Sequence, residues 1–290
     1  CTSVRLSDEQ RDYIARNYSG CLCHHCLENI TTEPHPVSVR ELANFLLDLS
    51  RTLMGAGAHT SRVVRNVTRI AESFGYKVDM TIFQMHITMT IRHAGDDTIR
   101  RTSVGKIGPA AFNFDIISQI SSLSWEAHDE HLSFRELTEK YERIIRKPRI
   151  SRWWVLVLVT AANACFCRLF GGDVPAMGLI AAATFVGFFV RQEMSTRHAN
   201  HMAIFLICSF IASLIASAGF RFHLGTTPET ALGTSVLFLI PGVPLINSIF
   251  DLLEGHVLVG ISRAGNALIL IVCIALGLSA TLLILGLDTL

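Results

Sequence analysis

From Trp153 onward the sequence is mostly apolar and falls into five segments, 153–170, 174–190, 201–218, 231–250 and 264–287. Each runs to roughly 17–24 residues, long enough at the helical rise to cross about 30 Å of hydrocarbon. The joins at 171–173, 191–200, 219–230 and 251–263 are short. A soluble helical core does not account for five such segments in succession. The expectation is an α-helical integral membrane protein whose membrane domain is 151–290. Trp153 and Trp154 open the first span, where interfacial aromatics sit.

The fourth span is interrupted near its middle by Pro241-Gly-Val-Pro244. Each proline removes a backbone donor and clashes with the carbonyl four residues back. In hydrocarbon such a break survives only where protein or a water-lined cavity satisfies the freed groups. A discontinuous membrane helix leading into polar residues points to a carrier's substrate site. It equally fits a kink packed against neighbouring helices. Here the break leads into Asn247, Asp251, Glu254 and His256. Pro241, Gly242, Pro244 and Asn247 are thus substrate-binding candidates, with the half-helix after the break offering free N–H groups to a carboxylate.

Basic flanks set the orientation. Arg143, Arg146, Lys147, Arg149 and Arg152 precede the first span, and Arg191, Arg197 and Arg263 fall on the same side if the spans alternate. Only Arg168 and Arg221 fall opposite. The positive-inside rule then places the amino-terminal half in the cytoplasm of a cell with a multi-pass inner (plasma) membrane protein. Five being odd, Leu290 lies outside.

Residues 1–36 read as a flexible extension with no signal-peptide core, and a chain opening on Cys1 reads as trimmed. Cys21-Leu-Cys-His-His-Cys26 is rich in soft metal ligands, yet only His35 follows nearby where a zinc site usually needs a paired second cluster, so a flexible extension is the favoured reading over metal binding. Residues 37–150 read as a small α+β domain. Leu42, Phe45, Leu46, Leu49 and Leu53 line one face of a helix over 37–53, with Ser38 and Glu41 as a capping box. A second helix, capped by Thr60 or Ser61, runs to about Phe74. Val78, Met80, Ile82 and then Ile87, Met89, Ile91 alternate as strands do. Gly95-Asp-Asp97 makes a turn, 98–104 the return strand and 105–109 a loop. Helices over about 112–125 and 133–147 follow, the latter with a Ser133/Glu136 capping box.

Ionisable groups inside spans are costly and functional by default. Arg168, with Asn163 and Cys165 near it, stands at the outer end of the first span, where it can pair with Asp173, meet an anionic solute or snorkel to the interface. Asp251, Glu254 and His256 are candidates for proton coupling, or ordinary interfacial charge. His128-Asp-Glu-His131 has no zincin spacing and reads as a solvated connector. Neither a Gly-rich phosphate loop nor a nucleophile elbow is present, and Gly55 with Gly57 is too weak for a nucleotide site. No catalytic residue, metal or cofactor is implied. A net charge of +1 gives no pull toward nucleic acid.

Several stretches together resemble the threonine/serine exporter family: Gly55-Ala-Gly-Ala-His-Thr60 with Arg62, Arg152-Trp153, Ala164-Cys-Phe-Cys-Arg168, Phe238-Leu-Ile-Pro-Gly-Val-Pro-Leu-Ile-Asn247 and Asp251-Leu-Leu-Glu-Gly-His256. The likeness covers about 38–288 and is similar to the family's split form, in which a small companion protein carries the remaining spans. It implies a secondary exporter of small amino acids or, for the split form, of a dicarboxylate such as succinate. The expected partners are therefore the lipid bilayer, a small solute and a companion subunit or second copy. One set of five spans would otherwise leave Asn247 and the freed backbone to lipid. A membrane-anchored hydrolase using His128/His131 or the Cys21-to-Cys26 cluster, and a sensor that binds a metabolite without moving it, are the competing readings.

Overall fold

The computed structural model describes residues 11, 14, 27, 37–83, 85–96, 98–108, 111–148 and 150–286. The cluster from Cys21 to Cys26 and His35 lie outside the described residues. The chain divides into two compact units: Cys1–Lys147 with Asn247–Ile261, and Pro148–Ile246 with Ser262–Leu290.

In the first unit, α1 (Val39–Gly55) and α2 (Thr60–Ser73) precede an antiparallel sheet of β1 (Tyr76–Ile82), β2 (His86–His93) and β3 (Arg100–Lys106), in that spatial order. Then come α3 (Phe114–Asp129) and α4 (Phe134–Ile145). α1 packs on β2 and β3, and α2 on β1, which gives a two-layer α+β arrangement. The reason lies in the periods. Leu42, Leu46, Leu49 and Leu53 recur every three or four residues and are fully buried. Truncating any one to Ala would cost about 2–5 kcal/mol. Ile87, Met89 and Ile91 alternate along β2 and are also fully buried, with Met80 paired to Met89 across the ladder. Ser38 caps α1 by accepting from the Glu41 N–H at 3.2 Å, and Ser133 with Glu136 forms a complete capping box on α4.

Two expectations need correcting here. The return strand is shifted toward the carboxyl end, so Gly105 and Lys106 belong to β3 and not to a loop. Gly105 lies where a Cβ would stand 3.0 Å from Leu47 Cδ1, and Arg51 Nε donates to the Lys106 carbonyl at 2.8 Å. The residue before α2 is His59, with no side-chain cap of its own, so neither Thr60 nor Ser61 is the N-cap.

The second unit holds α5 (Arg152–Leu169), α6 (Val174–Thr196), α7 (His201–Ala216), the short α8 (Ala218–Arg221) and α9 (Pro228–Thr234). A 3-10 turn (Leu237–Leu239) follows. α10 (Gly242–Leu253) and α11 (Val257–Leu285) complete the described chain. Among the described residues four helices are long and apolar enough to cross a membrane, or five if the bent pair Pro228–Leu239 and Gly242–Leu253 is one span. That pair bends by 62°. The fifth apolar helix starts at Val257, earlier than 264, and takes Arg263 into its first turns.

Small residues let these helices approach, as in other membrane bundles. Cys167, Ala176, Ala183, Ala216 and Ala231 form one core, and a Cβ on Gly277 would stand 2.5 Å from the Leu206 carbonyl oxygen. Ser213 and Thr281 hydroxyls bond at 2.6 Å in the buried contact of α7 with α11. The outer faces stay bare: Leu158 is 57% exposed, Leu268 57%, Leu276 55% and Leu283 72%. So much uncovered aliphatic surface on α5 and α11 suits hydrocarbon and not water.

Candidate functional site

Within the first unit, two of the family-like stretches meet. Gly55–Thr60 forms the turn between α1 and α2, with Gly57 at φ +90, a region that L side chains avoid. On the other side, Asn247, Asp251 and Glu254 are spaced at i, i+4 and i+7, which puts them on one face of the helix through α10 and its end. Asn247 Nδ2 donates to the Gly57 carbonyl at 2.8 Å. Asp251, fully buried, accepts the Thr60 N–H on Oδ1 at 2.8 Å. A carboxylate at that place satisfies an otherwise orphaned donor and complements the positive end of α2.

Glu254 closes the cluster. Its Oε2 lies 3.3 Å from His59 Nδ1 and its Oε1 3.7 Å from Arg65 Nη1. The Ser61 hydroxyl, then His59 and Arg65, hold this carboxyl below its ordinary range. Burial pushes the His59 ring down; Glu254 opposes that, while Arg62 and Arg65 reinforce it. The Phe250 ring lies 5.7 Å from that of His59. His256 follows Gly255, at φ +86, and its N–H donates to the Asp251 carbonyl at 2.7 Å. Of the residues read as proton-coupling candidates, Asp251 and Glu254 join one network with His59, which sequence reasoning missed. Asn247, a substrate-binding candidate from the sequence, gives its amide to the Gly57 carbonyl. The signal that could have found this network is the common spacing of the three polar residues on one helical face.

The remaining candidates lie in the second unit. Asn163 is buried between helices, and its amide donates to Thr184 Oγ1 at 2.7 Å and the Thr234 carbonyl at 3.3 Å. It ties α5 to α6 and α9. Arg168 does not pair with Asp173: its Nη1 donates to the Gly172 carbonyl at 3.1 Å. Asp173 instead caps α6 through Ala176 N–H and takes the N–H and hydroxyl of Thr226. Those donors, Thr226 N–H first and Ala176 N–H next, lower its carboxyl to about 2.

Pro241 is buried and Gly242 begins α10. Ile240, just before Pro241, has φ −57 and ψ 126, the extended conformation that a following proline enforces. His128 Nδ1 lies 3.1 Å from Asp129 Oδ1 on the exposed end of α3. Among the described residues no three His, Cys, Asp or Glu side chains gather as a metal site would require.

The family model described as threonine/serine exporter (ThrE) matches residues 44–285, which include both the Gly57–Asn247 contact and the break. A protein of Klebsiella aerogenes named probable succinate transporter subunit YjjP is 27% identical over 248 residues, 84% of this chain and 94% of that protein. The protein of that name from Escherichia coli K12 is 27% identical over 252 residues, 86% of this chain and 96% of the relative. A probable threonine/serine exporter of Mycobacterium tuberculosis is 21% identical over 248 residues, 84% of this chain but 46% of that protein. No solved structure matches the chain.

Proposed function

Because this chain belongs to the threonine/serine exporter family, we propose that it is a subunit of a secondary transporter exporting a small carboxylate-bearing solute. The solute is threonine or serine, or a small dicarboxylate such as succinate. The observation that carries this reading is the 62° break at Pro241-Gly-Val-Pro244 between two short helices of an otherwise continuous apolar series. Such a break turns the positive end of a half-helix toward an anionic group, although the Gly242 N–H is given to the Ile240 carbonyl at 2.8 Å and Pro244 has none to offer. Names of relatives support the two solute classes, one as a succinate transporter subunit and one as a threonine/serine exporter.

Glu254, Asp251 and His256, now with His59, supply the titratable groups for proton exchange, alongside the membrane potential as a driving force. The chain sits in the inner membrane with the α+β unit in the cytoplasm, following the basic residues around 143–152. Its partner is a small companion membrane subunit or a second copy, since alternating access uses paired halves. The word subunit in the relatives' names supports this.

Counterflow in proteoliposomes tests the reading. Radiolabelled threonine, serine and succinate are each offered to the chain with and without its companion. Exchange of at least one of them, stronger with the companion, is expected. Absence of exchange for all three in both arrangements refutes it.

A further inference from the structure

We propose that Arg191 binds the carboxylate of the transported solute, an inference that rests on the reading of the chain as a carrier of small carboxylates. Arg191 follows directly on the apolar run 174–190 and lies within α6. Its guanidinium stands 5.6 Å from the Phe188 ring centroid and 5.2 Å from that of Phe205. Phe188 and Phe238 meet edge to face at 6.2 Å. Gly187 makes room for this sheath, because a Cβ there would stand 2.9 Å from Phe238 Cζ.

The charge inside that sheath has no acidic partner among the described residues. Glu193, two residues on, is taken by Arg197 at 3.0 Å. The polar contact of Arg191 is one long hydrogen bond, Nη1 to the Phe238 carbonyl at 3.5 Å. A guanidinium has five N–H donors in a planar fork. Ring faces compensate part of its desolvation but satisfy no N–H. A half-buried arginine held this way lacks an anion of matching geometry, and a carboxylate is the bidentate fit.

Position strengthens the assignment. Phe238, whose carbonyl Arg191 touches, precedes Pro241 by three residues, so the break starts within about 10 Å along the chain. A small solute held by Arg191 through one carboxylate can therefore reach the first turn of α10 with its other polar group. Phe205 and Phe238 also belong to an apolar cluster with Val190, Met194, Ile204 and Leu239, which offers no acidic group to compete for the guanidinium.

The test compares wild type with Arg191→Gln and Arg191→Lys, each as the full chain in the assembly that supports wild-type flux. Counterflow is measured for succinate against its neutral diamide, and for threonine against threoninamide. Arg191→Gln is expected to raise KM for the carboxylate at least about tenfold and bring its preference over the amide close to one. The melting temperature should stay near wild type. Arg191→Lys, which keeps the charge and loses the fork, should retain part of the preference. If Arg191→Gln fails to insert, a raised KM in Arg191→Lys supports the proposal and an unchanged one overturns it. Wild-type KM and preference in an inserted Arg191→Gln overturn this inference alone. Wild-type protein that moves none of the probes overturns the carrier reading and this proposal with it.

Discussion

Asp251 accepts the backbone N–H of Thr60 at 2.8 Å across 191 positions of sequence. α2 has no side-chain cap from the residue before it, so this distant carboxylate performs the capping. One helix turn earlier, Asn247 holds the Gly57 carbonyl of the same connection. α10 thus starts at the proline break and ends on residues that fix the α1–α2 turn.

Replacing Asp251 separates cap from charge. Asp251→Ala should destabilise the first unit by about 1–3 kcal/mol, combining loss of a cap with a bond to a charged acceptor. Asp251→Asn keeps an acceptor oxygen and should lose less than half as much. Thermal melts of the full chain in detergent, followed by near-UV signal, give the order of stabilities. Equal losses for both variants would show that the contact to Thr60 is not what matters.

His59 and Glu254 predict a pH response. Burial lowers the His59 pKa from 6.5, so folding keeps the ring neutral where the unfolded chain protonates it. Above pH 6.5 the two states agree. As pH falls below 6.5, the unfolded state takes up the proton first and stability drops until the lowered folded value is passed. Glu254 has its pKa lowered from 4.5, so its contribution is complete above that value and disappears as pH falls through the folded one. Glu254→Gln removes the attraction that opposes burial and should push the His59 midpoint lower still. Nitrogen-15 NMR of labelled histidine, assigned with His59→Gln, reads this directly. A wild-type midpoint above 6.5, or no shift in Glu254→Gln, would contradict the account.

Gly57 is expected to tolerate nothing larger. Its φ of +90 costs an L side chain about 1–2 kcal/mol, and a Cβ would stand 2.3 Å from Phe112 Cδ1. Phe112 is 49% exposed and can swing away, so the clash is the softer part. Gly57→Ala should lower the melting temperature, and adding Phe112→Ala should restore only part of the loss. Complete restoration by the second substitution would mean that backbone strain contributes nothing.

How far the sequence discloses this structure depends on the range of each interaction. The leucine face of α1 and the alternation of Ile87, Met89 and Ile91 are local periods, and the buried residues are the ones those periods select. The Ser133 cap is likewise a contact between near neighbours. The α2 cap was misread because its acceptor, Asp251, is 191 residues away and no local pattern marks it. The partner of Arg168 was equally hidden: choosing between the Gly172 carbonyl and Asp173 depends on Thr226, which claims the carboxylate from across a loop. The break itself was legible, since Pro241 and Pro244 act on their own backbone. What the pattern could not give was the subdivision before it, where Pro228–Thr234 forms a short helix and Leu237–Leu239 a 3-10 turn in place of one continuous half-span.

The two prolines should not contribute equally to the break. Pro244 lies in the first turn of α10, where its absent N–H would have no intrahelical partner anyway. It also disfavours the helical conformation of Val243 before it, so Pro244→Ala should leave α10 intact or firm it slightly. Pro241 stands outside the helix and forces Ile240 into its extended conformation at ψ 126. Pro241→Ala lifts that restriction and returns a backbone donor, allowing the 3-10 turn at Leu237–Leu239 to run on toward Gly242. Solute exchange should therefore fall severalfold, on the order of 1 kcal/mol, in Pro241→Ala and stay near wild type in Pro244→Ala. Both variants should insert and purify as wild type does, because the apolar segments are unchanged. Counterflow of each variant beside a protease-protection assay of insertion checks the ordering. Equal loss from both substitutions would overturn this ordering, and full exchange by Pro241→Ala would assign the break a packing role without a part in transport.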